Sequence, residues 1–198
     1  MEFRLVYDGM LLGASRSNTR SEHKHEIRRV FHKQLKRLWE TAPHLRETGR
    51  VQQTMQGVAG AVASSDNIKK LSNKFRLDNY RLVPLATREL DLGCGLDILF
   101  LRYDQPGQTL LQSGDIDNRL KTLFDALRIP QDGEYCGKPL PDEDPFFCLL
   151  EDDSMISRVS VTTDVLLEPN RDVNDVRLVI TARIWPLSVT IANIGFGY

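Results

Sequence analysis

Apolar residues recur along this chain at two periods, and the switches between them mark out its elements. Residues 3–7 alternate, with Phe3, Leu5 and Tyr7 on one side, which predicts a short strand. From about 20 to 40 the spacing lengthens. Ile27, Val30, Phe31, Leu35, Leu38 and Trp39 form the stripe of an amphipathic helix that faces a core. Thr19 and Glu22 have the spacing of a capping box at its start. Residues 79–85 and 96–103 predict two more strands, the second so apolar that it belongs in the middle of a sheet. Helical spacing returns over 115–127 through Ile116, Leu120, Leu123, Phe124 and Leu127, and Pro130 stops the run. Residues 146–150, 155–167 and 176–185 predict three further strands.

The stretches between are punctuated by turn residues. Residues 9–18 are a polar loop, and Pro106-Gly107 marks a turn. Residues 131–145 hold two glycines, three prolines and five acidic residues, so they read as a loop. Residues 41–75 show no readable period, and 51–65 are rich in Gln, Gly, Ala and Ser. Gly93-Cys94-Gly95 reads as a turn before a strand, not as a dinucleotide fingerprint, and there is no P-loop. Two principal helices and about six strands predict one α+β domain over 1–198 with a mixed or antiparallel sheet.

Composition narrows the class. At 198 residues, 41% hydrophobic and 27% charged, the chain is that of an ordinary globular domain. No run approaches the roughly 18 apolar residues of a membrane span, and no signal peptide is expected at the start. Cys94, Cys136 and Cys148 fit neither a zinc pattern nor a disulfide framework, which points to a reducing compartment, the cytoplasm. The net charge of −1 conceals a division. Residues 1–90 carry 17 Lys+Arg against 9 Asp+Glu, and residues 91–198 carry 9 against 18. A basic half suits a polyanion and an acidic half can gather carboxylates for a cation. Arg28, Arg29, Lys33, Lys36 and Arg37 on the first helix form a candidate phosphate-contacting face, although a solvated basic face has the same composition.

The densest chemistry lies in Gly114-Asp115-Ile116-Asp117-Asn118-Arg119-Leu120-Lys121. Two carboxylates at a loop-to-helix junction can converge on a hard cation such as Mg²⁺, which keeps several waters. Lys121 follows Asp117 by one helical turn and can meet a phosphate oxygen. The same aspartates would also serve as a helix cap and a partner for the helix dipole. A second acidic point, Glu151-Asp152-Asp153, precedes the strand at 155; it can meet the helix start across a cleft, or be an ordinary acidic turn.

This order, DxDNxxK on a helix that continues through Asp125-Ala126-Leu127, then an Asp pair before a strand, resembles the RusA family of phage and prophage Holliday junction resolvases. The likeness covers about residues 95–165. It implies a RusA-like α+β fold and a homodimer that uses Mg²⁺, or Mn²⁺, to nick four-way DNA junctions symmetrically. By that likeness Asp115, Asp117 and Asp153 are the metal ligands, Lys121 is the active-site lysine, and Asp152 has a less defined role. Asp125 would lie on a polar side of the helix or behind the site. The chain departs from the family in an acidic, Pro-rich insert at 132–147 and in a longer N-terminal half. Two other readings remain: a non-catalytic relative that binds branched or single-stranded nucleic acid, and a structural or interaction protein in which the aspartates are separate caps and turns.

Overall fold

A computed structural model describes residues 1–14, 20–42, 45, 67–103, 114–134, 137–169, 171–190, 193 and 196, with only the backbone of Asp115. Its strands are β1 (Glu2–Met10), β2 (Arg76–Leu77), β3 (Tyr80–Ala86), β4 (Leu92–Arg102), β5 (Phe146–Leu150), β6 (Ile156–Val165) and β7 (Asp175–Pro186). Its helices are α1 (Ser21–Thr41), α2 (Asn67–Lys74) and α3 (Gly114–Leu127), and two short 3-10 turns span Pro141–Glu143 and Asp153–Met155.

Four strands form the main sheet in the order β1-β7-β4-β6. The β1–β7 and β7–β4 pairs are antiparallel, and β4–β6 is parallel. A parallel pair cannot be closed by a hairpin, and here α3 and β5 lie in the connection from β4 to β6. The smaller sheet runs β2-β3-β5, with β3 and β5 parallel. The fold is therefore a single α+β domain with mixed sheets. Among the described residues no helix is long and apolar enough to cross a membrane.

Alternation decides which face of the main sheet is covered. Cys94, Leu96, Ile98 and Phe100 of β4 and Val176, Leu178, Ile180, Ala182 and Ile184 of β7 are buried. They share one core with Ile27, Phe31 and Leu35 of α1 and with Leu123, Ala126 and Leu127 of α3. Each such large side chain contributes roughly 1.5–3 kcal/mol by leaving water. A second small cluster, Tyr80, Leu82, Phe146 and Cys148, lies on the smaller sheet. Cys94 and Cys148 are buried free thiols, and Cys136 lies outside the described residues.

Three expectations need amendment. Gly93-Cys94-Gly95 is inside β4, because the glycines leave room for the indole of Trp185; a Cβ on Gly95 would stand 3.0 Å from that ring. The N-cap of α1 is Arg20, which makes no capping bond, while Thr19 lies outside the described residues. The period-less stretch ends in a third helix, α2, and 46–66 within it also lie outside the described residues.

Candidate functional site

The site is built on α3 and on the turn that precedes β6. Leu120, Leu123 and Phe124 draw one side of α3 toward the core. That orientation leaves Asp117, Asn118 and Lys121 exposed, with Asp117 and Lys121 one turn apart on the same side. Among the described residues neither Asp117 nor Lys121 makes an ion pair or side-chain hydrogen bond. The backbone of Asp115 falls in the first turn of the helix, and its side chain is outside the described residues.

The turn Asp153–Met155 packs against α3. The two aspartates at its start differ sharply in what they do. Asp152 caps the turn, accepting from the backbone N–H of Ser154 at 3.0 Å and from the Ser154 hydroxyl. Arg88 lies 3.1 Å away. The Ser154 hydroxyl and N–H, with Arg88 adding to them, hold the Asp152 carboxyl below its ordinary pKa. Asp153 is not a cap. Its side chain is 49% exposed, and Arg128 Nε lies 3.9 Å from it.

That arginine belongs to a buried ionic network which the sequence did not reveal. Lys24 Nζ lies 2.8 Å from Asp125 and 3.0 Å from Glu134. Arg128 pairs with Asp125 at 3.0 Å and with Glu134 at 3.1 Å. Arg28 donates to Glu134 Oε2 at 3.0 Å and to the carbonyls of Asp125 and Glu134. All five residues are buried. Burial alone would raise the Glu134 pKa. The Gln131 N–H, Lys24 and the two arginines outweigh it and bring the value down to about 2. Asp125 is thus not a solvated residue; it ties α3 to α1 through Lys24 and stands behind Asp153 through Arg128.

The same network corrects the proposed phosphate-contacting face. Arg28 is 1% exposed, because it sits one turn from Lys24 and one turn from His32 on the inward side of α1. Arg29 pairs at 2.6 Å with Glu143, itself buried. Lys36 donates to the Asp142 carbonyl at 3.1 Å. His32 accepts from the Phe147 N–H at Nδ1, so its Nε2 carries the proton toward the Asp142 carbonyl. Much of the basic face of α1 therefore binds the acidic insert of this chain. Lys33 and Arg37 stay exposed, and Arg37 lies 3.5 Å from Glu40.

Among the described residues no three His, Cys, Asp or Glu side chains are grouped to hold a metal ion. Asp117 and Asp153 are nevertheless exposed hard-oxygen donors on neighbouring elements. No family model matches the chain, and no curated protein matches it. Of the residues that pattern reading missed, Lys24 and Arg128 carried a faint signal. Lys24 stands one turn from Arg28 on α1, and Arg128, just past the end of α3, stands three residues from Asp125. Glu134, in a turn-rich insert, carried none.

Proposed function

We propose that this chain is a metal-dependent endonuclease that hydrolyses phosphodiester bonds of branched DNA, as RusA-type Holliday junction resolvases do. In this reading it works in the cytoplasm as a homodimer. The observation that carries the proposal is the packing of the Asp153–Met155 turn against α3, whose exposed side holds Asp117 and Lys121. Buried acids in this protein are matched by cations, whereas these polar groups face solvent.

Asp117 and Asp153, with Asp115, would hold the ion; one to three carboxylates suit Mg²⁺ or Mn²⁺ because such ions retain water ligands. Bound there, the ion would supply Lewis-acid polarisation of the phosphate and a water for in-line attack. Lys121 offsets the charge that develops on the phosphoryl oxygens. Lys33 and Arg37 hold the DNA backbone away from the cut. Arg128, locked by Asp125 and Glu134, keeps a fixed positive group beside Asp153.

The test is cleavage of a labelled synthetic four-way junction by wild type and Asp117→Asn, each with Mg²⁺ and with chelator. Paired symmetric nicks that require both Mg²⁺ and Asp117 are expected. A second reading, a branched-DNA binder without catalysis, is favoured by the commitment of one of the paired aspartates, Asp152, to capping its own turn. Tight junction binding with no cut under any condition would select it.

A further inference from the structure

The main sheet has two edges, and the chain treats them differently. At the β1 edge, Gln34 of α1 behaves as a one-residue strand. Its side-chain carbonyl accepts from the Val6 N–H at 2.9 Å, and its amide donates to the Val6 carbonyl at 2.7 Å. The β6 edge has no such cover among the described residues. It is ten residues long, against a usual five or six. It has no Lys and no Pro; its charges are Arg158 and Asp164, and its one irregularity is a register shift at Ser157, ahead of the regular run 158–165. Residues 157–160 are exposed in succession.

The direction of its free backbone groups can be worked out. The Leu166 N–H donates inward to the Arg102 carbonyl of β4 at 2.6 Å. The Val165 N–H, one residue earlier, has no strand partner and donates to Asp164 Oδ1 at 2.7 Å. Backbone groups of successive strand residues point to opposite edges. Val159, Val161 and Thr163 therefore direct their N–H and C=O groups outward. Arg158, Ser160, Thr162 and Asp164 project on the sheet face away from the helices, beside Gly95, Asp97, Leu99 and Leu101.

We infer that β6 pairs antiparallel with β6 of a second copy of this chain, about a two-fold axis through Val161. The charges fix both partner and register. In that pairing Arg158 stands opposite Asp164 of the other copy, twice by symmetry, and neutral residues lie between. Val159 faces Thr163, Ser160 faces Thr162, and about six ladder hydrogen bonds form. Shifting the register by two breaks both ion pairs. The result is a continuous sheet with all helices on one side. The starts of the two β6 strands stand about 33 Å apart, so each copy keeps its own Asp153 turn. The pairing gives a surface to the homodimer of the nuclease reading, but it is tested without DNA or metal, so either can fail alone.

The experiment is sedimentation velocity of the full chain, wild type and variants, over a concentration series. Wild type is expected at twice the 22.6 kDa chain mass. Arg158→Asp and Asp164→Arg each set like charges opposite one another and should weaken the dimer about tenfold or more. The double variant should restore it. Val159→Pro removes only an outward N–H, so it should give a folded monomer by circular dichroism. A monomeric wild type, single variants that remain dimeric, or a double variant that fails to recover would each overturn the inference. A wild-type monomer whose β6 amides are protected only by an added extended peptide would assign the edge to another partner.

Discussion

The two halves of α3 use charge in opposite ways. Toward the start, Asp117 and Lys121 face solvent and bind nothing within the described residues. Toward the end, Asp125 and the adjoining Arg128 are buried and satisfied by Lys24 and Glu134. A buried charge must be paired, since leaving it alone costs several kcal/mol. An exposed charge carries no such constraint, so it is open to partners outside the fold. Changes at the far half should therefore register in stability, and changes at the near half in activity.

Glu134→Ala should give the largest effect. It leaves Lys24, Arg28 and Arg128 short of a buried anion and should cost about 3–5 kcal/mol in urea denaturation. If unfolding is unchanged, the network does not support the fold. Next comes Asp117→Asn, which should lower junction cleavage by about 10²–10³-fold and leave the urea midpoint within about 0.5 kcal/mol of wild type. Loss of both would mean that Asp117 is structural and erase the contrast between the halves.

Acid should separate two groups of contacts. Burial lowers the pKa of His25 to about 4, and it lowers that of His32 in the same direction. Unfolding lets these rings take up protons, so stability falls as the pH drops from about 6.5 toward 4. Glu134 has a pKa lowered to about 2. Its contribution is full above about 4.5 and is lost between there and 2. Calorimetry should show both windows in wild type and only the first in Glu134→Gln. The smallest effect belongs to α1. Lys33→Ala with Arg37→Ala should reduce the salt dependence of DNA binding by about one unit of slope per residue. An unchanged slope would move the DNA elsewhere.

Pattern reading recovered the elements where one face is buried and the period is strong. The strands β3 to β7 and the helices α1 and α3 lie within a few residues of their expected limits, because alternation and the helical stripe report burial directly. It failed where a glycine pair hid a strand under Trp185 and where charge was buried. Arg28 looked like a surface residue because a basic side chain on a helix usually is one. Its partner lies 106 positions away in an insert that has no periodicity.

What the sequence determined alone was local: the period of each element, the spacing of Asp115, Asp117 and Lys121, and the acidic pair before β6. These follow from backbone geometry, which acts over a few residues. Tertiary structure decided which charges are free and which are committed. It brought the acidic insert onto α1, set Asp125 and Glu134 among three cations, made Asp152 a cap while leaving Asp153 exposed, and closed one sheet edge with Gln34. A charge depends on the dielectric and the partners around it, and both are supplied by residues far away in the chain.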